Sequence, residues 1–547
     1  MIRRFVTPQQ TGLGENTFLK RIISFLILAA GLLALTVVLY YIIWPSRVVI
    51  TSDSTDTLFW AQASYESGQL ISREYSYAAI LPFGGNLLML VFLPFFGVSM
   101  TTQILGMCLF AGIFFTAAVF FFRSLGYSWR WTSAAVFLLT LNLSASLKLR
   151  EMFWGHVIYY SLGMLFLLFT LGLVNRANDA RETGQVKRRL NLLLILFALV
   201  ALAATNGFQV LALYALPVLA ALFLPLYLNG ERRLPDPANR GSWSLFTGIF
   251  LSIAAGLLLR WLLLGTKTDI YAGAYSSFVA MEAWQVNAET MALGWFKLLG
   301  VDIVLNDPFA GLKTLVNLVR LLYSLVLILL PIHFLLRIRS ITDEKLKLLG
   351  WSHLFVAALV SFLFITSKVS NAIWRLTPVV CTGSLFAAAY AFYLLKQPGA
   401  ARIAKTILAV ITAAALAAAG TIAALPVRTE ENEAYQLTEA LLEHDLHYGF
   451  ADFWRANGVT MASDSQVIIR TVNINGEGIK PRAFQSQPSW YADQEGIAEY
   501  FILLSANEYA NLQVSPDWNG IQEMLLDEFW INDYQVLVLS ENPLAAD

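Results

Sequence analysis

Residues 22–43 read IISFLILAAGLLALTVVLYYII, and after seven more residues Thr51–Gly68 read TSDSTDTLFWAQASYESG. A membrane helix needs roughly 20 mostly apolar residues, and the first stretch meets that length without a charge. It is too long, and too weakly processed at its end, for a cleaved signal peptide, so it reads as an anchor. The second stretch predicts a short helix ended by Gly68. Asp53 and Asp56 stand three apart at its start and therefore face the same side. Trp60, Ala61 and Tyr65 are expected on a face that lies against lipid. Acids at a helix start also suit capping and the helix dipole, so the pair fits either local capping or chemistry in the first loop.

The whole chain is consistent with that opening. It has 547 residues, 57% hydrophobic and 14% charged, with a mean hydropathy of +0.61. Soluble domains carry roughly 25% charged residues, which excludes an ordinary cytosolic enzyme, a disordered chain and a strongly basic nucleic-acid binder. The 37 bases and 37 acids cancel, but unevenly. Residues 426–547 hold 20 acids and 5 bases, a balance of −15, and residues 1–425 hold 32 bases and 17 acids, a balance of +15. Two regions of opposite character are joined. Cys108 and Cys381 both lie in apolar runs and read as small buried hydrophobes.

Apolar runs of spanning length fall near 22–43, 100–122, 131–147, 157–174, 190–205, 208–228, 243–264, 320–336, 348–366, 376–395 and 404–425, predicting a polytopic α-helical membrane protein with about 11 spans. Lys and Arg gather in alternate loops (Arg123/Arg130, Arg176–Arg189, Arg232–Arg240, Arg337–Lys347, Lys396–Lys405) and beside Arg3, Arg4, Lys20 and Arg21. By the positive-inside rule the N-terminus is cytoplasmic. An odd number of spans then places the acidic tail outside the inner membrane. The run 82–96 contains Pro and Gly, and counting it as a span would invert the later loops, so it reads as an interfacial helix. The outer segments are loop 44–99, the stretch Lys148–His156, loop 265–319, and the short connections near Asn206 and Lys368–Arg375.

Residues 426–547 predict a small α/β extracytoplasmic domain: a helix over Ala434–His444, strands at Val467–Val472, Tyr500–Leu504 and Tyr534–Leu539, and a helix near Ile521–Phe529. The aromatic run Tyr448–Trp454 suits a domain core or a sugar contact. No nucleophile–base pattern appears in this region.

An Asp just after the first span, a helix ending in Gly fifteen residues later, and a Pro-led interfacial helix together resemble the GT-C glycosyltransferases, which include protein O-mannosyltransferases and the aminoarabinose transferases that modify lipid A. Glu151, on the outer side before the fourth span, and Trp374-Arg375-Leu-Thr-Pro378, opening a late one, extend the resemblance over roughly Asp53–Pro378. Ser54 and the single Pro82 stand where the family often has a second acid and paired prolines. The resemblance implies transfer of a sugar from a polyprenyl-phosphate donor to a glycan, lipid or protein acceptor of the cell envelope, with inversion, in the presence of membrane lipid and without nucleic acid. It makes Asp53 the catalytic base or its close partner.

Such chemistry needs a base for the acceptor hydroxyl and cations for the leaving phosphate. Asp53 is the candidate base, with Asp56 or Glu151 sharing acceptor binding. Arg375, Lys368, Arg150 and Lys267 are the candidate phosphate ligands. His156, Tyr271 and Tyr275 are candidate acceptor or sugar contacts. Arg375 and Lys368 also suit snorkelling to headgroups, and His156 a structural hydrogen bond. Asp53, Asp56, Glu151 and His156 are donor types that suit a divalent metal, although no dedicated metal motif is present. The alternative is a non-enzymatic transporter or flippase of lipid-linked glycans, which would place charges near the middle of spans; the spans are nearly free of them.

Overall fold

The computed structural model describes residues 15–76, 83–228, 240–265, 277–304 and 310–545. Lys267, Tyr271, Tyr275 and Pro82 lie outside the described residues. Among those described, eight helices are long and apolar enough to cross a membrane: Ser24–Ile43, Met100–Ser124, Tyr160–Glu182, Trp243–Leu264, Leu312–Ser340, Glu344–Thr366, Ile373–Leu395 and Ala401–Ala423. Three further expected spans are helical but irregular. Val186–Ala204 opens on Lys187-Arg188-Arg189, which shortens its apolar length. The helix over 208–228 is interrupted by a π-helical turn at Leu211–Ala215. The chain is thus a polytopic α-helical membrane protein carrying a small mixed-sheet domain.

The expected span 131–147 differs most. Helix Trp129–Asn142 stops and the chain turns by 112° into Leu147–Gly155. The cause is the polar run Asn142-Leu-Ser-Ala-Ser146. Ser146 Oγ caps the new helix by accepting from Leu149 N–H at 3.1 Å. Ser144 Oγ accepts from the indole of Trp154 at 2.8 Å, and Asn142 Nδ2 donates to the carbonyl oxygens of Leu138 and Ile411. Free backbone groups at the break therefore find side-chain partners. Residues Glu151–Gly155 then form a π-helical turn, a local irregularity often found at functional sites.

Run 82–96 supplies two short helices, Gly85–Leu90 and Leu93–Phe96, neither long enough to span. The first lies on the juxtamembrane helix Ser52–Ser67. A methyl group at Gly85 would sit 2.6 Å from the Val157 carbonyl oxygen and 2.9 Å from Thr57 Cγ2, so only glycine permits that approach. This packing corrects one expectation: Trp60 and Ala61 are 1% and 0% exposed, enclosed by protein rather than lipid, and only Tyr65 is exposed. The 265–319 region contributes an additional helix, Trp284–Leu298.

The C-terminal domain is a six-stranded sheet in the order β3-β2-β1-β4-β6-β5, with β1 Tyr448–Ala451, β2 Ile468–Asn475, β3 Gly478–Pro481, β4 Tyr500–Ser505, β5 Leu525–Ile531 and β6 Tyr534–Leu539. β1 is parallel to β2 and β4, and the other pairings are antiparallel. Helix Phe453–Ala462 makes the β1–β2 crossover, as a parallel pair requires. The expected helix Ile521–Phe529 is half right: Trp518–Met524 is helical, and Leu525 onwards is strand. The aromatic run Tyr448–Trp454 forms β1 and the start of the crossover helix.

Period-two alternation gives this sheet two apolar faces. Phe501, Leu503, Val536 and Val538 pack with Leu437, Leu441 and Val459 of the domain's own helices. Tyr448, Phe450, Ile502, Leu504 and Leu537 face the other way and join the same apolar cluster as the membrane helices. The sheet is seated on the membrane body through its core.

Candidate active site

The juxtamembrane helix starts as its sequence dictates. Ser54 Oγ donates to the Thr51 carbonyl at 2.6 Å and accepts from Thr51 N–H at 3.3 Å. At the far end Gly68 adopts φ 63°, and its N–H returns to Tyr65 O. The capping work is thus done by Thr51 and Ser54. Asp53 and Asp56 are released from it. Ser54 is the residue that closes the first turn.

Asp53 is half-buried and Asp56 is 8% exposed. Burial, and then the adjacent Asp53 carboxylate, hold the Asp56 carboxyl well above the usual carboxylate range, while the Arg482 charge and a hydrogen bond from Gln485 pull it down. Two carboxyls this close resist losing both protons. The arrangement sets the half-buried Asp53 carboxyl beside one that keeps its proton to higher pH than an ordinary carboxyl.

Glu151 reaches the same region from the other side of the helix start. Gln103 Nε2 donates to Ser54 O at 2.7 Å and to Gly155 O at 3.2 Å, tying the first turn of the juxtamembrane helix to the π-turn. Ser54, Glu151 and Trp154 line one narrow cleft with Tyr41, Met100 and Met461. Both Glu151 oxygens lie 2.8 Å from Lys148 Nζ, and one lies 3.5 Å from His156 Nε2. Lys148 Nζ also sits 4.4 Å above the Trp374 ring. The structure therefore brings Glu151, His156 and the Trp374-Arg375 turn together through Lys148, a residue not singled out by the sequence reading. Its signal was there in the i,i+3 spacing to Glu151. Next to His156, Val157 holds φ 44°, a strained conformation for a β-branched residue.

The remaining candidates separate. Arg150 is 3% exposed, donates to the Ser144 carbonyl at 3.0 Å and lies 5.4 Å from the Tyr41 ring centroid, so it braces the bend from inside. Arg375 is half-buried in the turn Ile373–Leu376, and Pro378 follows at the second residue of the next helix, where its missing N–H costs nothing. Lys368 is exposed in the turn Lys368–Asn371, whose backbone pairs with residues 277–279. Arg320 donates to the carbonyls of Gly300 and Ala145 at 2.8 and 3.0 Å. Among the described residues no three His, Cys, Asp or Glu side chains gather closely enough to hold a metal ion, so Asp53, Asp56, Glu151 and His156 do not form one ligand set.

The C-terminal domain closes over this helix at several points. Ser52 Oγ donates to Trp454 O at 2.9 Å, and Asn432 Nδ2 to Val48 O at 3.0 Å. Ser465 Oγ donates to Val98 O at 2.7 Å, and Asp464 Oδ1 accepts from Met100 N–H at 3.1 Å. Farther along, Ser76 and Ser486 form a two-residue β-bridge, and Glu66 Oε2 accepts from Gln487 Nε2 and Trp490 Nε1.

No protein-family model matches the sequence, and neither does any curated protein. The fold is similar to the crystal structure of ArnT from Cupriavidus metallidurans bound to undecaprenyl phosphate, with a TM-score of 0.55 and 11% identity over 98% of this chain and 100% of that one. The apo form of the same ArnT gives 0.52 and 12% identity over 97% and 100%.

Proposed function

The chain has the GT-C fold in a membrane-embedded body with a C-terminal mixed-sheet domain, and from that premise we propose that it is an integral membrane glycosyltransferase. It moves a sugar from a polyprenyl-phosphate donor to a glycan, lipid or protein acceptor of the cell envelope. The reaction takes place on the outer face of the inner membrane, with the N-terminus cytoplasmic. The observation that carries the proposal is the acid pair Asp53/Asp56 at the start of a juxtamembrane helix whose capping is done by other residues. The likeness to an ArnT that binds undecaprenyl phosphate supports the donor class.

In the proposed step the Asp53 carboxylate takes the proton of the acceptor hydroxyl as its oxygen bonds to the anomeric carbon. The bond from that carbon to the phosphate oxygen breaks, and the lipid phosphate leaves with the electron pair. One displacement inverts the anomeric centre. Asp56 holds Asp53 in place and, with Glu151 and His156, orients the acceptor. Arg375 and Lys368 meet the phosphate charge, which develops as the sugar departs. Lys267, Tyr271 and Tyr275 are assigned to the phosphate and sugar by the sequence pattern alone.

The test is sugar transfer from a panel of undecaprenyl-phosphate sugars in proteoliposomes. Loss of the base in Asp53→Asn lowers turnover by about 10²- to 10⁴-fold; wild-type turnover by that variant removes the assignment. Mass spectrometry of envelope glycans, lipids and proteins with and without the gene identifies the acceptor.

A further inference from the structure

The side of the juxtamembrane helix that carries Asp56 is covered by the C-terminal domain, by the crossover helix at Ser52 and by the loop Arg482–Trp490 farther along. The backbone of this loop is fixed by the Ser76–Ser486 bridge, where Gln485 N–H donates to Ser76 O at 2.6 Å and Ser76 N–H to Ser486 O at 2.9 Å. Its far end is fixed by Trp490, which is 5% exposed. The Trp490 ring meets Phe59 and Tyr75 edge-on, and the Arg470 guanidinium lies 4.3 Å from its centroid. At its start the Arg482 guanidinium is stacked 3.8 Å from the Phe453 centroid and 4.4 Å from that of Phe484. Planar contact of this kind immobilises a guanidinium.

Between these fixed points lie two buried polar side chains from opposite ends of the sequence. Asp56 is 8% exposed and Gln485 is 6% exposed. Asp56 Oδ1 and Gln485 Oε1 each lack a hydrogen-bond partner among the described residues. A buried carboxyl without compensation is costly, and the compensating groups that face this one are Gln485 and Arg482, both from the C-terminal domain. The remaining charged group facing it is Asp53 on its own helix, which works against ionisation.

The geometry points to Gln485 and Arg482 as positioning residues: the membrane body carries the two carboxyls, and the C-terminal domain supplies the amide and guanidinium that hold Asp56 against Asp53. The inference rests on the reading of Asp53 as the base. It gives the acidic domain a part in turnover, since the acid pair is complete only with that domain seated. Burial of Asp56 and Gln485 at the domain boundary makes Asp56 sensitive to both groups, because electrostatic interactions are stronger at a buried carboxyl than in water.

The experiment uses the full chain in proteoliposomes, with Arg482→Ala, Arg482→Lys, Gln485→Ala and, as a control on exposed β3, Lys480→Ala. Circular dichroism and thermal melting establish that each is folded. Misplacing the acid pair lowers kcat by about ten- to a hundredfold, with donor KM unchanged and partial recovery in Arg482→Lys. In parallel, infrared difference spectroscopy follows the protonated carboxyl band assigned by Asp56→Asn. The band persists to higher pH in Arg482→Ala and Gln485→Ala than in wild type, because both groups favour the ionised form, and returns toward wild type in Arg482→Lys. An unchanged band in both alanine variants overturns the inference, whatever the turnover. Wild-type kcat in both overturns it as well. Absence of transfer by the wild type, or full turnover by Asp53→Asn, instead removes the catalytic reading and leaves the infrared titration to decide the positioning.

Discussion

Glu66 Oε2 accepts the indole N–H of Trp490 at 3.0 Å, joining residues 424 positions apart. The same oxygen accepts Gln487 Nε2 at 2.8 Å. One carboxylate on the juxtamembrane helix thus holds the loop that covers Asp56. Glu66→Ala leaves a buried indole donor unsatisfied, a cost of about 1–3 kcal/mol. Hydrogen exchange is expected to rise in 482–490 and in the facing helix while the membrane helices stay protected. Unchanged exchange in that loop removes the latch.

Asp56 also sets a pH dependence. Its folded carboxyl titrates well above the ordinary value of 3.8, so the native state retains a proton that the unfolded chain gives up. Its contribution to stability is complete below the unfolded pKa and is lost as pH rises through the folded one, with a slope of up to about 1.4 kcal/mol per pH unit. Asp56→Asn mimics the protonated form. Melting temperature plotted against pH should fall less steeply above pH 4 in Asp56→Asn than in wild type. Parallel curves contradict the raised titration.

Lys148 joins Glu151 to Trp374. Lys148→Met keeps the alkyl stem and removes the charge, leaving Glu151 with His156 alone. Turnover is expected to drop about tenfold or more, as for loss of a charged partner. Melting temperature should move little, since the lysine is partly exposed. A large stability loss with normal turnover would make this ion pair architectural.

Gly85 brings the short helix Gly85–Leu90 against Val157 and Thr57. Gly85→Ala places a methyl group 2.6 Å from the Val157 carbonyl, and overpacking of this kind costs about 1–3 kcal/mol. The consequence should reach His156 through the strained Val157. A lower melting temperature together with reduced transfer is expected; a neutral substitution would mean the helices separate freely.

The orientation proposed from charge is checked by labelling. In a Cys108→Ser, Cys381→Ala background, Glu477→Cys should react with an impermeant thiol reagent added outside intact cells. Glu182→Cys should react only after the inner membrane is opened. Both side chains are exposed, and the reverse pattern inverts the topology.

The parts of the site legible in the sequence were those encoded locally. Gly68 marks the end of the juxtamembrane helix and the i,i+3 spacing placed Asp53 and Asp56 on one side, whereas capping was expected of the acids and is done by Thr51 and Ser54. The lipid-facing role of Trp60 and Ala61 was misread because an apolar stripe has the same pattern against lipid as against a second helix. The bend at Asn142–Ser146 was hidden inside a hydropathy average that its polar residues barely lower. Leu525–Ile531 continued a helical run until its pairing with β6 made it a strand, an ambiguity inherent in short apolar segments. Arg482 and Gln485 lie more than four hundred residues from Asp56, and no periodicity links a carboxyl to partners brought to it only by tertiary packing.

The sheet face carrying Tyr448, Phe450 and Ile502 shares an apolar core with the membrane helices. In evolutionary terms, the domain cannot be exchanged like a module on a tether. A change in ring size at Phe59 or Tyr75 calls for an answering change at Trp490, so the two ends of the gene are bound to drift in step. Chimaeras that graft a foreign tail after Leu425 should fail at the seam unless the juxtamembrane helix travels with it.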